Sequence, residues 1–161
     1  MPVNIVSQDE DLRKIVRELE SINNFARSHP WKAYIPVWTA AGGSPAYGNA
    51  VVDAAYFQDR DIVEVWATIF FGSTTTFAGT SWSFSVPFRS KQQRGVVNAF
   101  YYDSSTDIMY SGAGQVNSSA ATISLFQMGV TPSNVSTTRP FIWATDDRIY
   151  LQTRYIRTDV T

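Results

Sequence analysis

Short runs of β-branched and aromatic residues, separated by turn residues at a spacing of roughly ten, fill the chain from Trp31 onward. The clearest run is 80–87, in which Trp82, Phe84 and Val86 alternate with serine residues. Such alternation is typical of a strand with one buried face. We predict strands at 31–39, 48–58, 62–71, 80–87, 96–102, 107–110, 121–128, 140–144 and 148–155.

Many short strands with little helix predict an all-β fold, and this spacing favours a jelly-roll-like β-sandwich over residues 31–161. Residues 111–119 contain two glycines and are predicted to bend or bulge. Residues 129–139 form the longest polar loop, and neither an internal repeat nor a second β domain is evident in the sequence.

The chain before Trp31 has a different character, because the only long helical pattern lies at 7–29. Its apolar residues fall in alternating steps of three and four, which places them in one narrow stripe, as in the seam of a coiled coil. Ser7 and Glu10 match a capping box, and Pro30 disfavours helix at the residue before it. The seam residues are Leu12, Ile15, Leu19, Ile22 and Ala26.

A helix of this length is marginal by itself in water, so its stripe requires a partner. That partner is either another copy of the chain or the chain's own β domain. Leucine at the first seam position and isoleucine at the second favour three or four helices over two, and we expect self-association. Residues 1–30 are therefore predicted to be an oligomerisation or attachment helix with an apolar attachment arm, whose residues are Val3, Ile5 and Val6.

Composition and charge argue against several classes of protein. Hydrophobic residues make up 44% of the chain and charged residues 17%, below the usual quarter, which favours extensive buried surface. The net charge is −1 and the cations are scattered, so we expect no nucleic-acid partner. The chain has no cysteine, hence no disulfide or thiolate metal site. No signal-peptide pattern or membrane-spanning apolar run is present, and we expect no membrane partner.

Residues that could perform catalysis are few, and we expect no enzyme, no cofactor and no metal ion. The only histidine, His29, lies at the predicted helix end beside Pro30, which argues against a catalytic triad or a histidine-based zinc site. Aspartate pairs occur in predicted turns, where local backbone hydrogen bonds favour them, with calcium binding and glycoside hydrolysis as alternatives. These pairs are Asp59/Asp61, Asp103/Asp107 and Asp146/Asp147.

Glycines and aromatic residues give two further candidate sites. The glycines at 42–43 and at 112 and 114 are not followed by the helix and lysine of a phosphate-binding loop. Aromatic side chains could stack on the apolar face of a sugar, but their period-two placement on strands favours packing in the core. The aromatic residues in question are Trp38, Trp66, Trp82, Tyr101, Tyr102 and Trp143.

Residues 31–157 resemble a β-sandwich domain that recurs in virion proteins of tailed phages, particularly phages of actinobacterial hosts. The resemblance is carried by W-K-A-Y-I-P-V-W-T at 31–39, F-G-S-T-T-T at 71–76, W-S-F-S-V-P at 82–87 and P-F-I-W-A at 140–144. Such domains occur at the C-terminus of minor tail or fibre proteins and as small capsid proteins. The resemblance implies a fold and a virion location, and no catalytic residue. The final R-Y-I-R-T departs from it, since small and acidic residues are expected around that tyrosine.

The resemblance and the helical seam together predict a homotrimeric capsid decoration protein, a minor capsid protein that binds the major capsid protein and stabilises the shell. It would be assembled in the host cytoplasm and would lie on the capsid surface of the virion. The alternative is a tail-tip or fibre receptor-binding protein that recognises a host-surface glycan through loops 72–79 and 129–139.

Overall fold

The computed structural model describes residues 12–21, 30–91, 95–118, 121–129 and 131–158. The chain divides into two compact units, Met1–Pro30 and Trp31–Thr161. In the first unit, residues 12–21 are helical and are called α1. The second unit, the β domain, is a single antiparallel sheet, so the prediction of an all-β domain preceded by a helix is confirmed. Its strands are β1 (Lys32–Ala33), β2 (Trp38–Ala41), β3 (Val51–Asp59), β4 (Ile62–Phe70), β5 (Thr80–Ser85), β6 (Gly95–Asp103), β7 (Ile108–Asn117), β8 (Thr122–Gln127), β9 (Ser133–Asn134) and β10 (Arg148–Ile156).

The sheet curls until one segment of the chain joins its two edges. The strand order is β1-β3-β4-β10-β6-β7-β8-β5-β2, and β9 pairs with β8. Thus β1 and β2, which are consecutive in sequence, lie at opposite edges. The Tyr34 N–H donates to the Ala54 carbonyl at 3.0 Å, and the Ser85 N–H donates to the Val37 carbonyl at 2.9 Å. The chain between β1 and β2 therefore forms hydrogen bonds with both edges of the sheet, on either side of Pro36. Pro36 itself has no N–H that could donate to either strand.

The inner face of the curled sheet forms the core. Residues of β4 alternate between half-buried and buried along the whole strand, as expected where one face is covered. At the centre, the ring of Trp82 lies 4.8 Å from that of Trp38 and 5.2 Å from that of Trp143. The indole N–H groups of Trp82 and Trp143 donate to the carbonyls of Ala78 and Arg139, each at 3.0 Å, so both buried donors are satisfied.

Two predicted strands differ from the structure. The prediction of one strand at 31–39 is wrong, because Pro36 separates β1 from β2. The prediction of a strand at 140–144 is also wrong, since this segment is a loop. Its aromatic residues are held by packing rather than by strand pairing: Trp143 is 5% exposed, and the partly buried ring of Phe141 lies 4.5 Å from it.

The predicted bend does not occur within 111–117, because β7 runs without interruption from Ile108 to Asn117. The glycine at position 112 has a packing role instead. A Cβ atom on Gly112 would overlap the ring of Tyr101, which is fully buried and donates its hydroxyl to the Phe126 carbonyl at 3.0 Å. Glycine at position 112 therefore makes room for the ring of Tyr101 from the neighbouring strand.

Candidate functional site

The aromatic residues singled out from the sequence divide between the two faces of the sheet. Packing in the core is confirmed for the four buried residues, which are Trp38, Trp82, Tyr101 and Trp143. The other two, Trp66 and Tyr102, are only half-buried and occupy the outward-facing positions of β4 and β6. Aromatic rings on the outer face do not contribute to the core, so they are the natural starting point for a binding site.

Strand pairing brings further residues to Trp66 on the outer face of β4, β10 and β6. In one cross-strand row, Trp66 is paired with Gln152, which is paired with Asn98. In the adjacent row, Tyr150 of β10 is paired with Phe100 of β6. These side chains line a concavity of about 220 Å³, which we call the outer-face groove. Phe100 is 48% exposed, so one wall of the groove is open to solvent.

A polar hollow of about 340 Å³ adjoins the groove and shares Asn98 and Gln152 with it. The Gln152 side-chain amide donates to a carboxylate oxygen of Glu64 at 3.2 Å, which fixes both groups. The side chains of Asn98 and Arg154 form no hydrogen bond within the described part of the chain. The hollow therefore presents donors and acceptors that a ligand can use.

Arg148 orders the end of the groove that lies opposite the polar hollow. Its guanidinium lies over the Phe70 ring at 4.7 Å and over the Tyr102 ring at 5.2 Å. It also donates to the Tyr150 hydroxyl at 3.3 Å. The Tyr102 hydroxyl in turn donates to Asp107 at 2.8 Å, and this hydrogen bond raises the pKa of Tyr102. The hydrogen bond from Arg148, whose guanidinium is itself held by two cation–π contacts, thus restricts the orientation of Tyr150.

The aspartate pairs contribute to turns. The Asp147 carboxylate is buried and accepts hydrogen bonds from the Ala144 N–H at 2.6 Å and the Ser104 N–H at 2.9 Å. Asp103 accepts from the Ser105 N–H at 2.9 Å and its hydroxyl at 2.7 Å, and the hydroxyl bond lowers the pKa of Asp103. The turn interpretation is confirmed for these two residues. Within the described ranges, no three or more acidic or histidine side chains group as a metal site would.

Among the loops predicted to recognise a glycan, 129–139 borders a separate hollow of about 390 Å³. Its lining consists of hydroxyl, amide and guanidinium side chains without an aromatic wall, and includes Asn134 and Arg139. The outer-face groove combines aromatic and polar surface, and it is formed by strands rather than loops. Ligand sites commonly combine these two kinds of surface, which favours the groove as the candidate site.

The second candidate surface is the seam of α1. Leu12, Ile15 and Leu19 are 59%, 52% and 59% exposed. Val16, which the sequence prediction omitted, is 51% exposed and lies one helical turn after Leu12, so the stripe is wider than a strict seam. The sequence signal that could have identified Val16 is its position four residues after Leu12. The predicted residues Ile22 and Ala26, the arm residues Val3, Ile5 and Val6, the cap residues Ser7 and Glu10, and His29 lie outside the described residues.

Comparisons with family models, curated proteins and solved structures find no match to this chain. Over the part of the chain that the structure describes, no helix is long and apolar enough to cross a membrane.

Proposed function

We propose that this chain is a structural protein of a tailed-phage virion that acts by contact and performs no reaction. In this proposal it is a homotrimeric capsid decoration protein, assembled in the host cytoplasm, that binds the major capsid protein and stabilises the shell at the capsid surface. The observation that carries the proposal is the row of exposed apolar side chains on α1.

The spacing of that row supports association between helices. Leu12, Ile15, Val16 and Leu19 stand at positions i, i+3, i+4 and i+7, which lie together on one side of a helix. Each is at least half exposed in the single chain, so apolar surface remains for an assembly to bury. Three copies related by a three-fold axis would cover the row with identical residues.

The connectivity of the β domain supports a jelly-roll-like sandwich as its finer description. Strands β6, β7 and β8 are consecutive in sequence and in space, and β5 returns beside β8, which is the order of a Greek key. With β1 and β2 taken as one strand and β9 left aside, the ten strands reduce to eight, the number found in a jelly roll. This is the fold that the sequence resemblance implies for virion proteins.

The test of self-association is the double variant Leu12→Asp/Leu19→Asp, compared with wild type by light scattering after size-exclusion chromatography. We expect the variant to run as a monomer, because charges in the seam would be buried without partners. The matched control is Lys14→Asp/Ser21→Asp, which places the same side chain on the same helix outside the seam, and it should stay trimeric. A trimeric seam variant, or a monomeric wild type, contradicts the proposal.

A second role is supported by the outer-face groove, whose aromatic and polar lining suits a ligand. In this role the protein is a tail-tip or fibre receptor-binding protein that recognises a host-surface glycan, and α1 continues a trimeric stem. Counting copies per virion by quantitative mass spectrometry separates the two roles. Hundreds of copies support the capsid role, and a handful supports the tail role.

A further inference from the structure

We infer that the outer-face groove binds an uncharged oligosaccharide, with pyranose rings stacked on its aromatic wall and their hydroxyl groups bonded at its polar end. The inference deepens the second proposed role, and it rests on that role only for the biological source of the sugar. The site itself is formed by residues of β4, β10 and β6, all of which belong to the β domain.

The aromatic wall provides the stacking surface. Trp66, Tyr150 and Phe100 come from three adjacent strands and line the same concavity. The C–H groups on one face of a pyranose ring form an apolar surface that packs on a flat aromatic ring. Phe100 is 48% exposed, whereas the preceding residue, Ala99, is buried. The side chain of Phe100 therefore lies on the solvent side of β6.

The polar end provides hydrogen bonds of both kinds. The amide of Asn98 can donate and accept, and the Gln152 amide oxygen is free to accept while its nitrogen bonds to Glu64. The Tyr150 hydroxyl accepts from Arg148 and keeps its own proton to donate. A sugar hydroxyl is both donor and acceptor, so this mixture matches it better than a surface of donors alone.

The charges favour an uncharged ligand. Glu64 and Arg154 occupy facing positions in the register of β4 and β10, and both side chains line the polar hollow. A charged ligand of either sign would be attracted by one of these side chains and repelled by the other. A neutral polyol can bond to both groups without leaving either charge opposed.

Length and rigidity favour a chain of sugars over a single ring. From Tyr150 to Arg154 the strand advances about 13 Å, which exceeds the width of one pyranose ring. The cation–π contacts of Arg148 with Phe70 and Tyr102 hold the end of this surface in place. A surface that is already ordered loses little entropy on binding.

The experiment is a titration of the ¹⁵N-labelled full chain with chitohexaose, cellohexaose, mannohexaose and maltohexaose, monitored by two-dimensional NMR. At least one of these neutral probes should shift amide signals of β4, β10 and β6 at millimolar concentration or below. Trp66→Ala should weaken that binding at least about tenfold, because it removes the largest stacking surface. Asn98→Ala should weaken it less, because the remaining polar groups can still bond.

The matched control is Trp31→Ala, which removes a tryptophan that is 48% exposed and is not part of the groove lining. It should leave binding unchanged, and the melting temperature of each variant shows that the fold is retained. The inference is overturned if none of the four probes shifts groove signals, or if Trp66→Ala binds as well as wild type. Preferential binding of polygalacturonate, an anionic probe, would also overturn it.

The titration tests sugar binding by the groove separately from the location of the protein. Groove binding combined with hundreds of copies per particle would support the sugar site and remove the receptor-binding role. A handful of copies without groove binding would support the tail location and remove the sugar site.

Discussion

The same kinds of side chain have opposite environments in the two units of this protein. In α1, Leu12 and Leu19 are each 59% exposed, whereas in the β domain Leu125 is 1% and Ile149 is 0% exposed. The sheet curls and is joined edge to edge by β1 and β2, so one chain supplies both sides of its core. A lone helix offers one apolar side and no second layer. The core of the β domain is thus closed within one chain, whereas the apolar row of α1 stays exposed.

The largest effect should follow from removing the centre of the β-domain core. Trp82 is 0% exposed and packs against Trp38, Phe71 and Trp143. Trp82→Ala should lower the free energy of unfolding by about 3–5 kcal/mol, measured by urea denaturation. Trp31→Ala, at a site that is 48% exposed, should cost far less. Similar losses in the two variants would refute the description of a core closed within one chain.

A smaller effect is expected from two neighbouring valines of β6. Val97 is 0% exposed and Val96 is 73% exposed, so the two residues sample the inner and outer faces at adjacent positions. Val97→Thr buries a hydroxyl group and should cost about 1–3 kcal/mol. Val96→Thr should change stability by less than about 0.5 kcal/mol. Equal melting temperatures for the two variants would mean that the faces are assigned wrongly.

The smallest effect concerns alkaline pH. Burial raises the pKa of Tyr155 to about 12, and its hydroxyl donates to the Phe88 carbonyl at 3.0 Å. In the unfolded chain the tyrosine pKa is about 10, so the neutral hydroxyl is favoured in the folded state. Its contribution is complete below pH 10 and is lost as the pH rises from about 10 to about 12.

Tyr155→Phe should therefore make stability fall less steeply above pH 10, by at most about 1.4 kcal/mol per pH unit. Urea denaturation at pH 8, 10 and 11 measures this slope. Some slope should remain in the variant, since burial also raises the pKa values of Tyr34, Tyr47 and Tyr101. An unchanged slope would show that Tyr155 ionises as readily in the folded state as in the unfolded chain.

Local pattern predicted much of the fold. The predicted strands at 62–71 and 80–87 correspond to β4 (Ile62–Phe70) and β5 (Thr80–Ser85), because alternation reports directly on a half-covered face. The aromatic segment 140–144 was misread as a strand, since a short apolar run does not distinguish a strand from a buried loop. Closure of the sheet at Pro36 depends on long-range pairing, which local sequence does not encode.

The candidate groove could be predicted only in part. Trp66 was identified from the sequence as a residue that could stack on a sugar, but core packing was favoured for it. Phe100, Tyr150, Asn98 and Gln152 were not identified, because β10 places them beside Trp66 by lying between β4 and β6. The sequence signal that could have identified these four residues is a second set of aromatic and amide side chains at the outward positions of β6 and β10.

In the proposed trimer the seam of α1 is buried against two further copies, and sedimentation equilibrium of the wild-type chain at micromolar concentrations measures this association. We expect a species with three times the 18.0 kDa mass of the chain. A mass of 18.0 kDa at every concentration would contradict it.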